Sequence, residues 1–372
     1  MSEAIVDAGA ATEDRIAVAS NWKLVWWRFR KHHLAVFCTG VLALFYLIVL
    51  CPDFFSTQSP DLTDARQAFI PVQTLHLFDD DGWNPWVPAI AGKRNPVTLR
   101  MEWTADPARK VREGFFTSGP PYRVFGLFPT TTHLIAAASP GQRVFLLGSD
   151  RLGRDQWSRI MHGTQTSMTV GLVAVAISVV LGVVLGGISG YFGGVADQII
   201  QRLIELLQSV PTIPIWLALS AALPRDWTPI QVFFAITVIL SLIGWTTLGR
   251  EVRGRFLALR EEDFVLAARL AGCGRMRIIL RHMVPTFLSH IIATSSLAIP
   301  VMIINETSLS FLGLGIRPPA ISWGVLLQEA QNIQTLALAP WLLIPGVVVI
   351  IAVLAFNLVG DGLRDASDPY SH

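Results

Sequence analysis

The chain has 372 residues, of which 52% are hydrophobic and only 15% charged, and its formal net charge at pH 7 is +2. Soluble proteins carry about 25% charged residues, so this composition excludes an ordinary soluble domain and predicts an integral membrane protein. The sequence also lacks the G-x-x-x-x-G-K-[ST] loop that cradles nucleotide phosphates, because its Gly92-Lys93 pair has Val87 where the first glycine should stand.

Six apolar runs are long enough, or nearly long enough, to cross a bilayer as helices, which takes about 20 residues at 1.5 Å each. They cover residues 34–51, 168–190, 200–222, 230–248, 287–310 and 339–360. The third is the least regular, because Pro211 and Pro214 interrupt it and proline removes a backbone donor. The predicted fold class is an all-α polytopic membrane protein with six transmembrane helices.

Basic residues are distributed unevenly about these runs. Eight arginines lie between the fourth and fifth runs, whereas Arg225 and Arg317 are alone in the short loops on the opposite side. By the positive-inside rule both termini face the cytoplasm. Residues 1–33 are then a cytoplasmic tail ending in an interfacial helix, and 361–372 are a cytoplasmic tail.

Residues 52–147, between the first two runs, form a predicted external insert rich in Pro, Asp and Trp. Short apolar stretches at Tyr122–Phe128 and Arg143–Leu147 predict strands, so the insert is expected to contain a small β-rich cap. None of the cysteines lies inside the long polar part of the insert, which therefore has no disulfide framework. Residues 148–360 form the predicted five-helix core.

The loop at 249–285 combines arginines with a small-residue helix pattern. Acidic residues stand where a helix N-terminus favours negative charge, and Gly272 can end that helix in the left-handed conformation. A second amphipathic stretch then leads to the proline at 285. An ordinary positive-inside loop is the alternative. The residues expected to contact a partner protein are Glu262, Asp263, Phe264, Ala267, Ala268, Gly272, Cys273, Arg275, Arg281 and Pro285.

This spacing is similar to the EAA loop of ABC importer permeases, which reads E-A-A, three residues, G, nine residues and I-x-L-P. The two alanines, the glycine and the proline match. Leu266, His282 and Val284 stand in place of the glutamate, isoleucine and leucine. By this resemblance, the loop contacts an ATPase through its helix and turn, and a contact made by the glutamate is in doubt.

Three further stretches resemble the C-type permease subunit of the dipeptide/oligopeptide family. Residues 147–159 resemble its G-T-D-x-x-G-R-D-x-x-S-R signature. Residues 308–324, reading S-L-S-F-L-G-L-G and later P-P-A-I-S-W-G, resemble its next block, and 357–369 resemble its C-terminal end. The long insert resembles that of the microcin/peptide branch.

The first of these stretches is rich in charge. We expect its side chains to form i,i+4 ion pairs on a short surface helix before the second span. A metal or catalytic carboxylate pair is the alternative, although no His or Cys cluster accompanies the acids. The candidate residues of this external face are Asp150, Gly153, Arg154, Asp155 and Arg159.

Two groups of polar residues interrupt the apolar runs. Glu306, late in the fifth run, is expected to line the translocation path or hold an outer gate, or else to contact water at the external interface. The group beside the prolines of the third run is a second pore-lining candidate, or serves helix packing. The candidate pore and gate residues are Gln208, Ser209, Thr212, Asn305, Glu306 and Thr307.

The resemblance implies a permease subunit that moves short peptides through the bacterial inner membrane and catalyses no covalent chemistry. It implies three protein partners: a homologous second permease, ABC ATPase subunits (two, or one fused) and a periplasmic substrate-binding protein. ATP and Mg are expected on the ATPase, with no cofactor or metal in this chain, and no nucleic acid is expected. Alternatives are an oligosaccharide or opine importer, a secondary transporter, which would need inverted repeats, or a membrane-anchored sensor.

Overall fold

The computed structural model describes residues 21–79, 82–97, 101–124, 126–137, 142–224 and 226–367. Residues 1–20 of the predicted N-terminal tail, residues 368–372 of the predicted C-terminal tail and Arg225 lie outside the described residues. The described chain is a bundle of long helices, with a sheet between the first and second long helices.

Two helices open the described chain and pack against the last one. They are α1 (Asn21–Phe29) and α2 (His33–Leu50), and a single turn, α3 (Pro52–Phe55), follows them. Phe29 is buried in one cluster with Ala366, close to the end of the last helix. The two ends of the described chain therefore meet at one end of the bundle.

The remaining elements follow the sheet. The helices are α4 (Gln156–Phe192), α5 (Gly194–Ser209), α6 (Thr212–Ala221), α7 (Pro229–Leu259), α8 (Asp263–Leu270), α9 (Arg275–Arg277), α10 (Leu288–Phe311), α11 (Trp323–Glu329), α12 (Ile333–Leu338) and α13 (Ile344–Ser367). A π turn over Ile278–Met283 and a 3-10 turn over Val284–Phe287 join α9 to α10. Shorter 3-10 turns cover Ala65–Gln67 and Pro340–Leu343.

Five helical stretches in the described chain are long and apolar enough to span a membrane: His33–Leu50, Gln156–Phe192, Pro229–Leu259, Arg275–Phe311 and Pro340–Ala366. Each contains, or nearly coincides with, a predicted run. The second begins well before residue 168, because Asp155 caps its N-terminus by accepting a hydrogen bond from the backbone N–H of Ser158 at 2.8 Å.

The third predicted run, 200–222, is not one straight helix. Helices α5 and α6 meet at an angle of 87°. Pro211 has no N–H for the helical ladder and its ring clashes with the preceding turn, so α5 ends at Ser209. The described chain therefore has five candidate spans, or six if the bent pair is counted as one.

The insert, where a small β-rich cap was expected, contains a four-stranded antiparallel sheet. The strands are β1 (His76–Asp79), β2 (Gly82–Arg94), β3 (Met101–Val124) and β4 (Phe128–Ala137). Strand β3 pairs with β2 through residues 101–112 and with β4 through residues 113–124. The strand predicted at Arg143–Leu147 is wrong, because this segment is irregular and its Phe145 bonds instead to Gln73.

Helices α4 and α7 are closely packed along glycines of α4. Gly182, Gly186 and Gly190 are spaced four residues apart and all face α7. A Cβ added to Gly190 would lie 2.7 Å from the carbonyl oxygen of Arg253, which leaves no room for a side chain. In a membrane, close packing of small residues rather than a hydrophobic force drives helix association. Sequence analysis missed this contact, although the glycine spacing was the available signal.

Candidate functional site

One face of helix α8 packs against the helix bundle, and its other face is exposed. Val265 and Ala268 are buried in a cluster with Phe256 of α7 and Ile291 of α10. Leu270 is 90% exposed and has exposed apolar neighbours on the same helix, and contiguous apolar patches of this kind mark interaction sites. The exposed apolar residues of α8 are Phe264, Leu266 and Leu270.

The end of α8 is set by the backbone conformation of Gly272. The Gly272 N–H donates to Arg269 O at 3.1 Å and the Cys273 N–H to Ala268 O at 3.1 Å, which is the Schellman pattern. Gly272 has φ +76°, and a Cβ added there would meet nothing within 4 Å. The glycine is therefore required for its conformation and not for space.

The stretch after Gly272 also has a buried and an exposed side. Ile279 and Met283 lie in the same cluster as Val265, whereas Met276 and Leu280 are exposed. The two exposed side chains extend the apolar surface begun by α8. We call the exposed surface of residues 262–285 the α8 surface.

Arginines tie the α8 surface to the end of α4. The guanidinium of Arg269 lies 6.0 Å from the ring centre of Tyr191, and that of Arg275 lies 5.7 Å from the ring centre of Phe192. Such cation–π contacts hold the segment in place without burying its charges. Among the other predicted contact residues, Cys273 is half-buried. The exposed ones are Glu262, Asp263, Ala267, Arg281 and Pro285.

Asp150, Arg154 and Arg159, around the start of α4, are buried or half-buried, which corrects the expectation of a surface helix. The Asp150 Oδ2 accepts hydrogen bonds from Arg154 Nε and from Arg159 Nη1, both at 2.6 Å. Residues 148–155 form a loop, and Gly153 turns it with φ +71°. Asp150 and Arg159 are almost fully inaccessible to solvent. The Asp150–Arg154 pair has the predicted i,i+4 spacing, but it belongs to a buried ionic network in a loop and not to a surface helix.

Glu329 of α11 completes this network and was missed by sequence analysis. Its Oε1 accepts from Arg154 Nη2 at 2.7 Å and from Arg159 Nη1 at 3.0 Å. Two acids and two arginines thus balance their charges, which a buried ion pair requires. No local sequence pattern pointed to Glu329, because the contact joins segments far apart in the chain.

Asp155 has a different role from the other acid of this motif. Besides capping α4, its Oδ2 accepts from Thr57 Oγ1 at 2.9 Å and from Ser158 Oγ at 2.6 Å. Burial raises the pKa of Asp155, and these hydrogen bonds act in the opposite direction. Asp155 therefore joins the start of α4 to the chain just after α3.

Glu306 is fully buried, so it neither lines an open path nor contacts water at the interface in this structure. Its two oxygens accept hydrogen bonds from Ser167 Oγ at 2.8 Å and Ser310 Oγ at 2.7 Å. These hydroxyls in turn accept from the backbone N–H groups of Trp323 and Ile316. Through these hydroxyls the carboxylate is linked to Ile316, within the loop that follows α10, and to Trp323, at the start of α11. The neighbouring Asn305 is only half-buried and Thr307 is buried.

The polar residues at the α5–α6 break are exposed in this single chain. Gln208 donates to Thr246 Oγ1 of α7 at 3.0 Å, and Ser209 donates to Leu206 O at 2.8 Å. Thr212 opens α6. Their hydrogen bonds run to partners other than those of Glu306, so the structure does not join the two groups of pore candidates into one cluster.

The fold and these sites define a multi-pass, mostly helical membrane protein with an anchored surface helix between two spans. Residues 178–370 match a family profile described as "Binding-protein-dependent transport system inner membrane component". A second profile, the N-terminal TM domain of oligopeptide transport permease C, matches residues 20–71. The chain belongs to the family of inner-membrane components of binding-protein-dependent transport systems, which confirms the family predicted from the motifs.

Relatives by sequence agree with this family. The oligopeptide transport system permease protein OppC of Salmonella typhimurium is 38% identical over 256 residues, covering 68% of this chain and 82% of the relative. The OppC of Bacillus subtilis is 35% identical over 241 residues, covering 64% and 76%. Among solved structures, inward-facing MetNI methionine ABC transporter aligns with a TM-score of 0.42 at 16% identity, over 56% of this chain and 95% of the other. The family assignment rests on the profiles and the sequence relatives.

Proposed function

We propose that this chain is one permease subunit of an ATP-driven, binding-protein-dependent importer that moves short peptides into the cytoplasm. The names of the OppC relatives support the peptide cargo. The observation that carries the coupling to ATP is the α8 surface: an apolar face, open to a partner, on a helix whose other face is anchored in the bundle.

The contacts of α8 allow it to transmit a displacement to the membrane-spanning helices. Val265 and Ala268 pack against α7 and α10, and Arg269 lies against the end of α4. A partner that displaced α8 would therefore move three long helices at once. Closure of an ATPase on a separate chain, with ATP and Mg bound there, would supply this displacement. It would switch the pore between its inward-facing and outward-facing states.

The arrangement of charges supports an orientation. Exposed arginines surround α8, and the positive-inside rule assigns that side to the cytoplasm. Residue 33 begins α2, which ends at residue 50 beside the insert, so the N-terminal segment and the insert lie at opposite ends of one span. We therefore place both termini and the α8 surface in the cytoplasm and the insert at 52–147 in the periplasm. A homologous second permease and a periplasmic binding protein would complete the importer.

Substitution of Gly272 tests this function. Valine at φ +76° is strained, so Gly272→Val should distort the end of α8 and reduce both recovery of the ATPase in a pull-down and cargo-stimulated ATP hydrolysis. Gly274→Val is the matched control, because Gly274 also has open space around it but has φ −63°. If the two variants retain the ATPase equally well at normal membrane levels, the α8 surface is not the coupling contact.

A further inference from the structure

The turn between β3 and β4 is built from apolar residues. Residues 124–128 read V-F-G-L-F. Leu127 is 73% exposed and Phe128 67% exposed. Hairpin turns that face water are normally made of Gly, Asn, Asp, Pro or Ser. Gly126, at φ +70°, supplies the conformation that the turn needs, so the apolar side chains around it require another explanation.

Helix α2 sets the depth of this part of the protein in the membrane. Its 18 residues span about 27 Å at 1.5 Å each, slightly less than the ~30 Å thickness of the hydrocarbon layer. The whole helix is needed to cross, so Val49 and Leu50 lie at the hydrocarbon boundary. Gln165 of α4 donates to Val49 O at 3.0 Å and marks the same depth on the second span.

The β3–β4 turn lies at this depth. Val124 and Gly126 line a cleft of about 310 Å³ together with Leu50 and Gln165. Leu127 and Phe128 directly follow Gly126 and point away from the protein core, as their exposure shows. Two large apolar side chains are therefore exposed next to the end of a membrane-spanning helix.

We propose that the β3–β4 turn inserts Leu127 and Phe128 into the bilayer leaflet on the insert's side and so fastens the sheet to the membrane surface. The occupant of this apolar surface is phospholipid, because the turn shares a cleft with Leu50, which ends a membrane-spanning helix whose Leu47 and Leu50 are exposed. Tyr122, which precedes the turn, is a residue type enriched at the membrane interface, and the long side chain of Arg123 can reach headgroup level.

Spin labels can measure whether the turn is in lipid. The full chain, with Cys38, Cys51 and Cys273 replaced by alanine, would carry one label at Leu127→Cys and be placed in phospholipid nanodiscs. The matched control is Val97→Cys. Val97 is 88% exposed and lies between β2 and β3, at the end of the sheet away from the β3–β4 turn. Collision rates with oxygen, which concentrates in lipid, and with a nickel chelate, which stays in water, are then compared.

We expect the label at 127 to collide more with oxygen and less with the nickel chelate than the label at 97. A label at Phe128→Cys should behave like the one at 127. Equal ratios at 127 and 97 would overturn the proposal, since the turn would then be in water. Low collision rates with both reagents would overturn it too, because the turn would then be buried against protein. A water-exposed turn that becomes protected only when a periplasmic binding protein is added would identify a protein-docking site and equally overturn the lipid contact.

Discussion

Replacing Gly186 by alanine should weaken the packing of α4 against α7. A Cβ at this position would overlap the carbonyl oxygen of Gly249 and lie 3.0 Å from the Cβ of Val252. The obstacle is mainly backbone, which cannot rotate away as a flexible side chain can, so the two helices would have to move apart. Overpacking of this kind costs about 1–3 kcal/mol. The gain in helix propensity of alanine over glycine, about 1 kcal/mol, partly offsets it.

Gly187 offers a control that removes the propensity effect. A Cβ there would lie 3.4 Å from the ring of Phe256, which is an ordinary van der Waals distance. Thermal unfolding of Gly186→Ala and Gly187→Ala in the same lipid nanodiscs should therefore give a lower midpoint for the first and a midpoint near or above the parent for the second. Equal midpoints would refute the argument that backbone contact at Gly186 holds the two helices together.

Two further substitutions address buried charge. Glu113 is buried without a hydrogen-bond partner among the described residues, and burial raises its pKa to about 7 from 4.5. Because the pKa of Glu113 is higher in the folded protein than in the unfolded chain, its ionisation lowers the free energy of unfolding progressively as pH rises from about 4.5 to about 7. Glu113→Gln should therefore be more stable than the parent by about 3 kcal/mol at pH 8 and should differ little from it at pH 4.5. The same gain in unfolding midpoint at both pH values would contradict this. Asp150→Asn should lower stability by about 3–5 kcal/mol, because it leaves buried Arg159 short of negative charge. Arg151→Ala, at an exposed neighbour, is its control, and matching losses would show that the network is not the cause.

The parts of the fold that could be predicted are those decided by local composition. In lipid only helices and closed barrels satisfy their backbone, and a continuous run of about 20 apolar residues has the length of a spanning helix, so the spans follow from the sequence. The bend at Pro211 had a local signal too, but its angle of 87° depends on packing that no short window contains. The sheet was harder to place, because β3 is long, polar in part and shared between two partners.

The candidate sites show the same division. The end of α8 follows from a single residue, Gly272, whose type and spacing are visible in the sequence. The ionic network around Asp150 was not visible, since Glu329, which bonds to Arg154 and Arg159, comes from α11, far along the chain. Glu306 was recognised as unusual, but its two serine partners, one on α4, give it an internal role that its own neighbours do not indicate.

The most direct test of the central claim is whether α8 touches an ATPase. A photo-crosslinking amino acid would replace Leu270, which is 90% exposed, and in a separate variant Val97 of the insert, which is 88% exposed. Both would be irradiated in the complete importer assembled in membranes. The proposed function predicts a covalent adduct with the ATPase from position 270 and none from position 97. An importer that is active yet gives no adduct at 270, or gives the same adduct from 97, would contradict it.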